Sequence, residues 1–163
     1  MSKEVRFISE GAIIAALYVV LSLLSAAFGL LSGAVQLRIS EALCILPLFT
    51  PAAVPGLFLG CFLTNVLTGG IIWDVVFGSI ATLIGALGTY FVGKKASSHK
   101  LLLGVLPPIV SNMTIVPVVL VYCYKLTAAW WFILITVAIG EVLCAGVLGS
   151  FLHSSLKKTN IWK

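Results

Sequence analysis

Between Ile8 and Leu152 this chain is a succession of apolar runs, more of them than a soluble fold of its length can bury. Hydrophobic residues make up 61% of the 163 residues and charged residues 9%, where a soluble domain carries roughly 25% charged. Water would have to be kept from all of that apolar surface, whereas a bilayer removes the requirement. The expected class is therefore all-α, a single polytopic transmembrane domain over 1–163 with little mass left for a soluble lobe. The basic residues lie in short clusters rather than one stripe, which argues for membrane topology and against nucleic acid. The first ten residues are charged and no cleavage region follows the first apolar run, so no cleavable signal is expected.

The runs set the topology. The first extends from about Ile8 to Phe28, and a loop with Gln36 and Arg38 follows. The stretch from Ala42 to Leu67 is interrupted at Thr50-Pro51 and at Pro55-Gly56. Later runs span about Ile71 to Val92, Leu101 to Tyr124 and Ala129 to Leu152. Each half of the interrupted stretch would make only about 15–20 Å of helix, against a hydrocarbon core of about 30 Å. Length thus favours one span there, while the two prolines favour a break. The positive-inside rule decides. Two helices put Lys3, Arg6, Lys94, Lys95, Lys100, Lys157, Lys158 and Lys163 on the cytoplasmic side, leaving only Arg38 and Lys125 outside. Six helices with both termini cytoplasmic is the predicted bundle.

With terminal and loop charges set aside, the ionisable residues are Glu10, Arg38, Glu41, Asp74 and Glu141. In the six-helix arrangement Arg38 and Glu41 open the second helix from outside. Asn65 lies at the outer end of the third helix and Asp74 at the outer start of the fourth, Asn112 and Glu141 fall near mid-depth, and Glu10 lies near the inner face. A charge at the bilayer centre costs about 2.5–3.5 kcal/mol, so such residues turn to the bundle interior and mark a ligand or ion path. The set reads as a binding cup open to the outside. Structural readings stand beside it: Arg38 and Glu41, three apart, pair with each other; Asp74 caps its helix; Asn112 joins helices. Trp73 and Trp131 belong to an interfacial aromatic belt with Trp130 and Trp162, or flank a planar ligand. Cys44, Cys61, Cys123 and Cys144 sit singly in apolar runs and read as packing residues, without metal or disulfide. Small residues at helical spacing on the first helix, Ala12 and Ala16 and then Ser22, Ala26 and Gly29, serve bundle packing or the docking of a partner. Nucleotide-binding, zinc-protease and serine-nucleophile motifs are all absent, so the chain is read as neither enzyme nor ATPase, with no cofactor.

The run Gln36-Leu37-Arg38-Ile39-Ser40-Glu41-Ala42-Leu43, followed by Leu46-Pro47-Leu48-Phe49-Thr50-Pro51 and Val54-Pro55-Gly56-Leu57, resembles the signature of the QueT family. Its later blocks are similar to Gly60-Cys61-Phe62-Leu63-Thr64-Asn65, Asp74-Val75-Val76-Phe77-Gly78-Ser79 and Gly140-Glu141, in the same order. QueT proteins are substrate-binding S components of energy-coupling-factor (ECF) transporters. The resemblance implies a multi-pass protein of the bacterial cytoplasmic membrane that binds a vitamin-like solute from outside. It implies docking on an ECF transmembrane subunit that carries two ATPase subunits, through small residues that Ala12 and Ala16 match, with transport by toppling. The implied substrate is a queuosine precursor, a 7-deazaguanine or queuine. A carboxylate, Glu141 or Glu41, suits the two donors of a guanine-like edge, and Asn112 or Gln36 its carbonyl. Asp74 suits a cationic substituent, and a tryptophan face the ring. Two other classes fit the residues alone: a solitary facilitator or ion-coupled carrier, and a non-transporting assembly subunit.

Overall fold

The computed structural model describes residues 2–31, 36–95, 99–125 and 127–159, and among these every regular element is a helix. Trp162 and Lys163, assigned above to an interface and to the cytoplasmic side, lie outside the described residues. Six helical segments follow one another: α1 (Lys3–Ala27), α2 (Ile39–Leu48), α3 (Ala53–Leu67), α4 (Ile72–Lys95), α5 (Lys100–Cys123) and α6 (Trp130–Thr159). Of these, α1, α4, α5 and α6 are long and apolar enough to cross a membrane, whereas α2 and α3 are shorter apolar helices. Large apolar side chains point outward along the four long helices, with Ile8 68% and Phe151 76% exposed. That surface belongs in lipid, not water.

Ser2 starts α1 by accepting the Val5 N–H on its hydroxyl (3.3 Å). Gly29, at φ +69°, follows its end in the left-handed region where glycine carries no Cβ penalty. Along α1 the buried residues Ile14, Tyr18, Ser22 and Ser25 recur every three or four positions, giving one inward stripe. The close approach of α3 to that stripe depends on two glycines one turn apart. A Cβ on Gly60 would stand 2.7 Å from the Tyr18 Cβ, and one on Gly56 2.7 Å from the Gly11 carbonyl oxygen. The α4–α5 contact repeats the device. Cβ atoms on Gly85 and Gly88 would meet Pro108 at 2.7 Å and Pro107 at 2.5 Å.

The interrupted stretch breaks once, between Leu48 and Ala53, where Pro51 sits. Pro55 does not break the chain, because it falls in the first turn of α3 where its missing N–H has no helical partner to lose. Helix α2 begins at Ile39, three residues before the expected Ala42, and is wound as a 3-10 helix throughout. At about 2.0 Å per residue rather than 1.5 Å, this winding stretches a short segment further across the bundle. It also stacks every third side chain, which sets Cys44 beneath Glu41. Every residue from Ser40 to Pro47 is buried, so α2 is the central strut of the bundle. Near its far ends the winding loosens: α5 finishes in a π-helical turn (Val119–Cys123), and a π-helical stretch (Val142–Leu148) follows Glu141 directly in α6.

The chain ends sort into two groups. At one end Thr50 donates to Glu10 (2.8 Å), Phe49 packs on His153 (ring centroids 5.1 Å apart), and Leu48 lies against Gly93 and Gly104. At the other end the Ser25 hydroxyl accepts the Ile39 N–H (3.1 Å), and Asn65 and Tyr124 both bond to Asp74. The lysine-rich helix ends belong to the first group, and Arg38 and Asp74 to the second.

Candidate functional site

Glu41 is the pivot of the interior. It is 2% exposed, and its carboxyl group is held by donors from three helices. The Tyr18 hydroxyl of α1 donates to Oε1. The Cys44 thiol (3.0 Å) and the Asn112 amide of α5 (3.3 Å) donate to Oε2. Glu141, from α6, faces the same space and lies within hydrogen-bond reach of Asn112. Its Oε2 is buried without a partner among the described residues. A buried acceptor left unpaired costs about 1–3 kcal/mol, so an orphan oxygen at this point marks a place where something else bonds.

The space between these groups is a cleft of about 20 Å³, lined by Gln36, Arg38, Glu41, Asn112 and Glu141 with Val116 and Val137 as apolar walls. That volume holds about one water. Above it lies a wider vestibule of about 380 Å³, reaching Asp74, Tyr124 and the turn at Thr68, Gly69 and Gly70. Gln36, Arg38 and Val116 line both spaces and form the neck between them. The structure is therefore a closed polar cleft beneath an open mouth.

At the mouth, the Asp74 carboxylate accepts from the Tyr124 hydroxyl (3.2 Å), which itself accepts the Ile71 N–H (3.4 Å). Burial, with Asp74 beside it, pushes the Tyr124 phenol above its ordinary pKa and keeps it a donor. Asp74 lies in the first turn of α4, where a negative charge also suits the helix dipole. Asn65, 2% exposed, donates to the Asp74 carbonyl (3.2 Å) and thereby ties α3 to α4.

The residues singled out in the sequence thus fall into three groups. Gln36, Arg38, Glu41, Asn112 and Glu141 converge on the cleft, and Asp74 lies above them in the vestibule, with Asn65 bonded to its backbone. Trp73 and Trp131 are placed elsewhere. They are 54% and 63% exposed, pack on Phe77 and Phe132, and line neither space. Successive helical residues point about 100° apart, so Trp73 looks outward when its neighbour Asp74 looks in. The suggested Arg38–Glu41 ion pair does not form. Arg38 precedes α2 and its backbone turns it to the neck, and among the described residues Arg6–Glu10 (2.7 Å) is the one salt bridge.

Two members of the cluster escaped the sequence reading. Cys44, taken there for a packing residue, bonds the Glu41 carboxyl, and Tyr18 was passed over inside an apolar run. Its signal was present: Tyr18, Ser22 and Ser25 make a polar stripe at helical spacing in an otherwise apolar span. Among the described residues no group of His, Cys, Asp and Glu side chains is arranged to hold a metal.

Four long apolar helices, with a buried polar cleft among α2, α4, α5 and α6, define a multi-pass membrane protein. The chain belongs to the QueT transporter family, whose family model matches residues 8–158. Its role is accordingly membrane transport of a small molecule. Comparison with curated proteins and with solved structures found no match.

Proposed function

We propose that this chain is the substrate-binding S component of an ECF-type importer of the bacterial cytoplasmic membrane, and that it captures a queuosine precursor, a 7-deazaguanine or queuine, from outside. In this reading α2 and α3 cross as a pair, both termini are cytoplasmic, and the vestibule opens outward. An ECF transmembrane subunit carrying two ATPase subunits docks on α1 near Ala12 and Ala16, and the bound protein delivers its ligand by toppling.

The observation that supports the substrate class is the Glu141 Oε2, unpaired among the described residues, beside a Glu41 carboxyl that three donors already hold. A guanine-like edge presents a ring N–H and an exocyclic amino group side by side, which one carboxylate accepts together. Asn112, already between the two glutamates, and Gln36, at the neck, offer amide donors to the ring carbonyl. Asp74 in the vestibule suits a cationic substituent that projects from the base. Since the cleft as it stands holds about one water, the ligand enters only as the neck opens. The Tyr124–Asp74 bond and the Arg38 side chain are the parts that must move.

Thermal stabilisation of the purified chain tests this reading, with queuine, its 7-deazaguanine precursors, guanine and common vitamins as ligands. A ligand at a hundred times its Kd adds about 2.7 kcal/mol to stability. Stabilisation by deazaguanines is the expected result, and stabilisation by none of the compounds in folded protein would remove the substrate assignment. Uptake by cells that lack every ECF subunit would favour a solitary carrier instead.

A further inference from the structure

A second, wide space lies remote from the cleft just described. It lies at the lysine-rich end, between the start of α5, the end of α6 and the residues that close α2, and encloses about 750 Å³. Lys100, Lys157, Lys158 and His153 bring basic groups to it from two helices, while Leu48, Phe49 and Leu101 supply an apolar floor. No carboxylate lines it, and none of these lysines has a salt-bridge partner among the described residues. The one acidic side chain bonded at this end, Glu10, is occupied by Arg6 and Thr50.

We infer that this cleft binds the headgroup of an anionic phospholipid. Three unpaired lysines converging on one space select a multiply bonded anion such as a phosphodiester. The apolar floor distinguishes a lipid from a soluble anion. The helices that carry the cations turn lipid-facing side chains outward within two turns of them, with Leu102 66% and Phe151 76% exposed. A phospholipid seated here places its phosphate among the lysines and its acyl chains along that apolar surface, whereas inorganic phosphate uses the first half of the site alone. Basic pockets between helices at a membrane's charged face take lipid headgroups on the same grounds. The bound lipid would add a link between the ends of α5 and α6, which already meet at this end directly and through Leu48 and Phe49. The inference stands independently of the substrate reading, since no cleft residue takes part.

Native mass spectrometry of the full chain, in detergent with equimolar phosphatidylglycerol, cardiolipin and phosphatidylcholine, tests it. The triple variant K100Q/K157Q/K158Q is compared with K3Q/K94Q/K95Q, which removes as many charges from exposed positions at the same end but outside the cleft. The expected result is retention of anionic lipid over phosphatidylcholine by the parent chain and the control. The cleft variant weakens retention roughly fivefold for each lysine removed. Equal loss in both variants would reduce the effect to diffuse charge and overturn the site. So would the absence of preference for anionic lipid, or complete displacement of the lipid by millimolar inorganic phosphate.

Discussion

Glu41 and Glu141 are two buried carboxyl groups in one space, and their partners differ. Glu41 is met by Tyr18, Cys44 and Asn112 from three helices, so its carboxyl group holds the bundle together. Glu141 keeps one oxygen unbonded in the same space. Tyr18→Phe leaves Glu41 short of a donor at full burial, a loss of about 1–3 kcal/mol. The expected outcome is a lower thermal midpoint of the purified, ligand-free chain. Glu141→Gln should leave that midpoint nearly unchanged and weaken deazaguanine binding by roughly tenfold to a hundredfold, the worth of hydrogen bonds to a charged group. Titration of both variants against the same ligand reads the difference. A large fall in ligand-free stability for Glu141→Gln, with affinity retained, would assign Glu141 to the scaffold. At this scale the sequence was informative about Glu41 and Glu141, since charges in an apolar run have few places to go. It was silent on which of them is saturated, because Tyr18 is 23 residues from Glu41 in the chain and only folding brings them together.

Among the elements, α2 shows where pattern reading stops. Its break at Pro51 is legible because proline removes a backbone donor. Its 3-10 winding is not, because Ala42 to Leu46 is apolar on every side and a fully buried helix leaves no periodic mark. The glycines of α3 are a different case. They are spaced as small-xxx-small and receive α1 at a distance that excludes any side chain. Gly60→Ala drives a methyl group to 2.7 Å from the Tyr18 Cβ, and α1 must shift with the residue that holds Glu41. The expected cost is about 1–3 kcal/mol of overpacking, read as a lower thermal midpoint, with ligand affinity falling alongside it. Gly146→Ala is the control, since a Cβ there finds its nearest neighbours at 3.8 and 3.9 Å. Equal effects of the two substitutions would mean that helix propensity, and not the α1–α3 approach, governs the result.

The whole molecule is polarised along the bundle, with lysines at one end, the vestibule at the other and the carboxyl cluster between them. If the lysine end is cytoplasmic, as the positive-inside rule requires, a cysteine at His99 should react with a membrane-impermeant maleimide in inverted vesicles, and one at Thr68 in right-side-out vesicles. The reversed pattern, with His99 labelled in right-side-out and Thr68 in inverted vesicles, would refute the paired crossing of α2 and α3. The outward face of α1 then carries the remaining question of scale, which is how a closed bundle finds its energy source. Ile14, Ala15 and Tyr18 turn into the core, while Ala12 and Ala16 are exposed one turn apart, flanked by the exposed Ile13 and Leu17. Small residues on a lipid-facing surface contribute nothing to the packing of their own bundle, but they let another helix approach closely. Replacing both with leucine fills that groove without touching any buried contact. The double variant should therefore keep its thermal midpoint and its stabilisation by ligand, yet lose co-purification with the ECF transmembrane and ATPase subunits and lose uptake. Because Tyr18, which supports Glu41, and the proposed docking face lie on opposite sides of α1, the two readouts separate. Retained co-purification would move the docking surface off α1, and a loss of ligand stabilisation would show that the outward alanines support the site after all.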